Sequence, residues 1–134
     1  MAILVLDDEK DARESLEVLL EFAGYRVITA SNAEEALELL KSNTIRLMLV
    51  DLMMPGMNGD DFIKRARQQG HKAEALLVTA LAPRHASALT ELGIGYMRKP
   101  YDGRALLNTV ETLLRKGVGD GYAGTCGGDN LTVA

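Results

Sequence analysis

The chain has 134 residues, 47% of them hydrophobic and 25% charged, with a net charge of −4. That is a single domain of ordinary size with enough apolar material for a core, and its acidity argues against direct binding to nucleic acid or to an anionic membrane. No apolar run approaches the roughly 20 residues of a membrane span, Asp7 and Asp8 interrupt the stretch a signal peptide would need, and the single cysteine, Cys126, has no internal disulfide partner. The expectation is a cytoplasmic protein.

Residues 2 to 6 are an apolar run, Ala2-Ile3-Leu4-Val5-Leu6, ending in Asp7-Asp8-Glu9. Continuous apolar runs mark parallel strands buried on both faces, so this reads as a strand with carboxylates at its C-terminal end. Ala12, Leu16, Leu19, Leu20 and Ala23 then recur at helical spacing until Gly24 stops the helix. Tyr25 to Thr29 is expected as a second strand. Ser31 followed by Glu34 reads as a capping box, with Ala33, Ala36, Leu37 and Leu40 as the apolar face of the next helix.

The third strand, Arg46-Leu47-Met48-Leu49-Val50, stops on Asp51, and Pro55 ends any further ladder. A helix near residues 60 to 69 follows, with Phe62, Ile63 and Ala66 inward and Gly70 at its end. Ala75 to Val78 is a fourth strand closing on Thr79-Ala80, and a short helix is expected over 84–92. Ile94 to Met97 is a fifth strand closing on Lys99-Pro100, a pair that marks a fixed turn. The last helix is expected over 102–116, with Leu106, Leu107, Val110 and Leu113 or Leu114 buried. From Gly117 to Ala134 the composition turns glycine-rich and reads as a tail or linker.

Five strand-then-helix units joined by right-handed crossovers give a doubly wound α/β sheet, and the commonest five-strand solution is the flavodoxin-like (βα)5 order 2-1-3-4-5. That order brings Asp7, Asp8, Asp51, Thr79 and Lys99 to one sheet edge. Each has a bland alternative taken alone: a loop or cap for Asp7-Asp8, a turn for Asp51, a β-branched strand residue for Thr79, a surface lysine for Lys99. At four successive strand ends the bland readings weaken together. Three carboxylates so close need a neutralising cation, and a hard oxygen site suits Mg²⁺. Asp51 can then act as a nucleophile towards a phosphoryl group. Lys99 can pair with Asp51 in the empty state, and Thr79 can donate its hydroxyl to a phosphoryl oxygen.

On these residues the chain resembles the receiver domain of bacterial two-component response regulators. The matching pieces are Asp7-Asp8-Glu9, the stretch from Asp51 through Leu52, Met53, Met54 and Pro55 to Gly59, Thr79-Ala80, and Tyr96-Met97-Arg98-Lys99-Pro100. The match covers about residues 2–116. It implies that Asp51 is the phosphoacceptor, that Asp8, Asp51 and the Met53 carbonyl ligate Mg²⁺ with Asp7 acting through water, and that Thr79 and Lys99 hold the phosphoryl group. It also places Leu52, Ala80, Tyr96 and Pro100 among the binding residues. Tyr96 is expected to move inward on phosphorylation and reshape the face made by the fourth helix, fifth strand and fifth helix.

The implied partners are a histidine kinase or histidine phosphotransfer protein, with homodimerisation on phosphorylation as a further outcome and no direct nucleic-acid or membrane contact. The domain is expected to be a switch, not an enzyme. The Gly93-Ile94-Gly95 stretch departs from the commoner small-then-acidic pattern. Apolar Met53 and Leu81, each two positions beyond a site residue, are expected to obstruct the hydrolytic water and slow phosphoryl loss. Two other readings compete. A haloacid-dehalogenase-type phosphatase would need a second acid where Met53 stands, and a pseudo-receiver would lack one of the site residues. Residues 127–133 resemble a metal-binding segment of Ser/Thr phosphatases, with nothing else of such a domain present.

Overall fold

The computed structural model describes residues 2–80 and 94–118. Five parallel strands form its sheet: β1 (Ala2–Leu6), β2 (Val27–Ala30), β3 (Ile45–Val50), β4 (Glu74–Thr79) and β5 (Ile94–Arg98), in the order β2-β1-β3-β4-β5. The helices are α1 (Lys10–Phe22), α2 (Ala33–Ser42), α3 (Gly59–Gln68) and α4 (Gly103–Val118). This is the expected flavodoxin-like arrangement. The last helix runs to Val118, two residues past its expected end, so Gly117 and Val118 belong to it and not to the expected tail. The rest of that tail, the helix expected over 84–92, Leu81 and Cys126 lie outside the described residues.

Alternation along the central strands explains why the sheet is covered twice. Leu4, Leu6, Met48, Val50, Ala75 and Leu77 point to one face, where Ala36 and Leu40 of α2 and Phe62, Ile63 and Ala66 of α3 seal them. Ile3, Val5, Leu47, Leu49, Leu76 and Val78 point to the other, against Leu16 and Leu20 of α1 and Leu106, Val110 and Leu113 of α4. Both faces are dry, so the strands carry unbroken apolar runs. Of the alternatives for the last helix, Leu113 is buried and Leu114 only partly so.

Some boundaries differ from expectation for identifiable reasons. Tyr25 is not in β2, because its N–H is taken by the Leu20 carbonyl at 3.1 Å as α1 closes around Gly24, whose φ is +98°. The capping box is shifted by one residue. Asn32 is the N-cap and accepts from the Glu35 N–H at 2.8 Å, while the Glu35 carboxylate reaches back to the Ser31 N–H at 2.9 Å. Asn32 is extended at φ −152°, which leaves its short side chain free to reach the third helical residue, a position Glu35 fills. Asp102 precedes α4 as its cap, accepting from the Ala105 N–H at 3.2 Å.

Candidate functional site

The C-terminal ends of β1, β3, β4 and β5 lie side by side because of strand register. Leu6 pairs with Val50, Val50 with Leu77, and Thr79 with Arg98. The ladder continues one step past each end: the Asp51 N–H donates to the Leu6 carbonyl at 2.9 Å, and the Lys99 N–H to the Thr79 carbonyl at 2.7 Å. Those bonds fix the backbone of Asp51 and Lys99 at the rim, whatever their side chains do. Open α/β sheets bind ligands at this edge, where the strand order reverses between β1 and β3.

Asp7, Asp8 and Asp51 converge there, each offering a carboxylate oxygen within 4.8 Å of the other two. Asp7 is buried, Asp51 half-buried and Asp8 exposed. Asp7 is held from three sides: Oδ1 accepts the Glu9 N–H at 2.9 Å, Oδ2 pairs with Lys99 Nζ at 3.2 Å, and its carbonyl accepts from Arg13 Nη1 at 2.8 Å. Lys99 therefore pairs with Asp7, not with Asp51 as the sequence suggested. The more deeply buried carboxylate has lost more hydration and gains more from a fixed cation.

Asp51, half-buried, is left without an ion pair of its own among the described residues. Burial pushes its carboxyl up to about 6, the neighbouring Asp7 adds to the rise, and Lys99 and the Met53 N–H, 3.4 Å from Oδ1, oppose it. An acid raised by burial and by a like charge is one that a bound cation would return to the charged form. The donor set is entirely oxygen, which fits a hard divalent ion such as Mg²⁺. Asp7, Asp8 and Asp51 would hold it.

The remaining expected residues are distributed around this core. Thr79 is buried at the end of β4, and Ala80 follows it, exposed. Leu52 packs partly against the α2–α3 core, and its carbonyl accepts from the Gly59 N–H at 2.8 Å. Met53 is exposed. Tyr96 is half-buried in β5 opposite Leu77. The Lys99–Pro100 peptide is cis, with Pro100 exposed.

Two contributors escaped the sequence reading, and a third, Gly59, entered it only as the end of a matched stretch, with no role. Arg13 gave no signal, because its role depends on α1 folding back over the Asp7 carbonyl. Tyr101 is half-buried; burial pushes its phenol up, with Lys99 opposing and Asp7 reinforcing the shift. Gly59 opens α3 against the end of β3, where a Cβ would collide with the Asp51 carbonyl. A glycine at a helix start, where Ser, Asp or Pro is commoner, was the available clue.

The class of molecule this fold and site define is matched directly. Residues 3–111 match the family described as response regulator receiver domain. The chain belongs to that family, and its place is in two-component signalling. It is 34% identical over 116 residues to the response regulator SaeR of Staphylococcus aureus (strain USA300), covering 85% of this chain and 50% of the relative. The chain thus spans about half the length of the curated relatives it matches.

Among solved structures it is similar to a CheY-like receiver domain protein from Methanospirillum hungatei JF-1. The TM-score is 0.80 and the identity 28%, covering 87% of this chain and 95% of the other. It is also similar to the response regulator TrrA of Thermotoga maritima, solved in complex with Mg(2+)-BeF. There the TM-score is 0.74 and the identity 34%, covering 84% and 99%. No described helix is long and apolar enough to cross a membrane.

Proposed function

We propose that Asp51 accepts a phosphoryl group from a phosphohistidine of a sensor kinase or phosphotransfer protein. The observation that carries this is the convergence of Asp7, Asp8 and Asp51 within 4.8 Å at the sheet rim, beside Lys99. An Asp51 carboxylate oxygen attacks phosphorus, the O–P bond forms as the P–N bond breaks, and the imidazole nitrogen leaves with the P–N electron pair as a neutral ring whose other nitrogen already carries the proton. Mg²⁺, when bound, supplies charge neutralisation for the equatorial phosphoryl oxygens. The relative crystallised with Mg(2+)-BeF supports this pocket chemistry by analogy.

Lys99 is then drawn from Asp7 towards the new dianion, and the Thr79 hydroxyl donates to it. Tyr96, half-buried two register steps in from the Thr79–Arg98 pair, responds to a shift of Thr79. A charge change at the rim thereby biases a two-state output face. The donor docks against α1, which starts beside Asp8 and presents exposed Val18 and Phe22 next to Asp11, Glu14 and Ser15.

Incubation with a small phosphodonor and Mg²⁺, followed by intact-mass measurement, tests the reading. One phosphoryl group per chain, absent in Asp51→Asn, is expected. Continuous release of inorganic phosphate without accumulation would instead indicate a phosphatase.

A further inference from the structure

The chain has six methionines, five of them on described residues. Met48 and Met97 are sealed in the two cores at 0% and 2% exposure, Met54 is buried and Met57 half-buried, whereas Met53 is 54% exposed. Met53 also stands at the lip of the acidic pocket, with its N–H directed at Asp51 Oδ1. Among the described methionines it alone joins an open thioether to a backbone contact with Asp51.

Resting on the phosphoacceptor reading of Asp51, we infer that Met53 is a redox-modification site: its oxidation to the sulfoxide by a hydroperoxide shortens the life of the phosphoryl group on Asp51. The step balances simply. A sulfur lone pair attacks the distal peroxide oxygen, the O–O bond breaks as the S–O bond forms, and the proton on the attacked oxygen passes to the other, which leaves as water or an alcohol. Sulfur loses two electrons and the peroxide gains them.

Exposure governs which thioether an oxidant reaches, so Met53 reacts before Met48 and Met97. The product replaces an apolar side chain with a polar one bearing a strong acceptor oxygen. A thioether next to the acyl phosphate offers an attacking water almost nothing to bind to. A sulfoxide oxygen holds and orients one beside the phosphorus, and hydrolysis accelerates. Methionine sulfoxide reductases reverse the change, so the effect is a switch and not damage.

The test uses the full chain carrying Cys126→Ser, which removes thiol oxidation as a source of change. The protein is treated with hydrogen peroxide, the oxidised residues are located by peptide mass mapping, and the chain is then loaded with a small phosphodonor and Mg²⁺ and followed as phosphate is lost. The expected result is sulfoxide at Met53 well before Met48 or Met97, and phosphoryl loss at least about threefold faster. Methionine sulfoxide reductase should restore the original rate. In Met53→Leu, whatever its own starting rate, peroxide should change nothing.

Oxidation that is no faster at Met53 than at Met48 and Met97 overturns the inference. So does a lifetime that peroxide leaves within twofold, or one that peroxide shortens equally in Met53→Leu. A chain that takes no phosphoryl group before oxidation overturns the phosphoacceptor reading and this inference with it. A chain that is loaded normally but indifferent to Met53 oxidation overturns this inference alone.

Discussion

A Cβ at Gly59 would collide with the Asp51 carbonyl oxygen and come within 2.9 Å of Val50 Cγ1, both parts of the rim itself. Gly59→Ala should therefore destabilise the chain by about 2–3 kcal/mol in urea denaturation and slow phosphoryl uptake, because relief requires moving Asp51. Gly56 makes the contrast: its φ is +86° but nothing lies within reach of an added Cβ, so Gly56→Ala should cost only about 1 kcal/mol. Asp51 carries a pH signature of its own. Its folded carboxyl titrates at about 6 against 3.8 in the open chain, so between those values the folded state holds more protons than the unfolded one. Stability of the metal-free protein should fall as pH rises through that window. After allowance for partial exposure the loss is about 1–2 kcal/mol. Asp51→Asn should remove this component and be the more stable protein at neutral pH, as the difference between the two denaturation curves against pH would show.

The Lys99–Asp7 pair couples the ends of two strands that do not touch in the sheet, β5 and β1. Lys99→Met leaves the Asp7 carboxylate, 3% exposed, without its cation and should cost about 3 kcal/mol. Asp7→Asn in the same background should restore part of the loss, a non-additivity that a double-mutant cycle measures. At α2, Asn32→Ala removes the cap bond to Glu35 and should cost about 1 kcal/mol by thermal denaturation, while the serine next to it should matter less. These elements also show where sequence reasoning stops. Apolar periodicity placed every described strand and helix, since burial on two faces leaves an unbroken run and burial on one leaves a 3.6-residue rhythm. Which of Ser31 and Asn32 caps α2 depended on a single φ, and which acid Lys99 meets depended on relative burial. Neither quantity is written in residue type.

For the molecule as a whole, ligand binding and stability are linked. If Mg²⁺ binds the three rim acids only in the folded state, Mg²⁺ at about a hundredfold its dissociation constant should stabilise the protein by about 2.7 kcal/mol. Asp8→Asn should lose most of that gain, and a thermal shift titration reads both. The site was legible as a set because the strand order, once guessed, carries strand-end residues to one edge. Gly59, Arg13 and Tyr101 were not, since their roles come from how helices and turns fold back over that edge. The register of β1 against β3 has one more consequence. Asp7 and Asp51 come from distant parts of the chain and meet only when those two strands are paired. A nascent or fraying polypeptide owns all the acids and none of the pocket. On the reading proposed for Asp51, receipt of the signal doubles as proof of completed folding, and broken copies stay silent instead of misfiring.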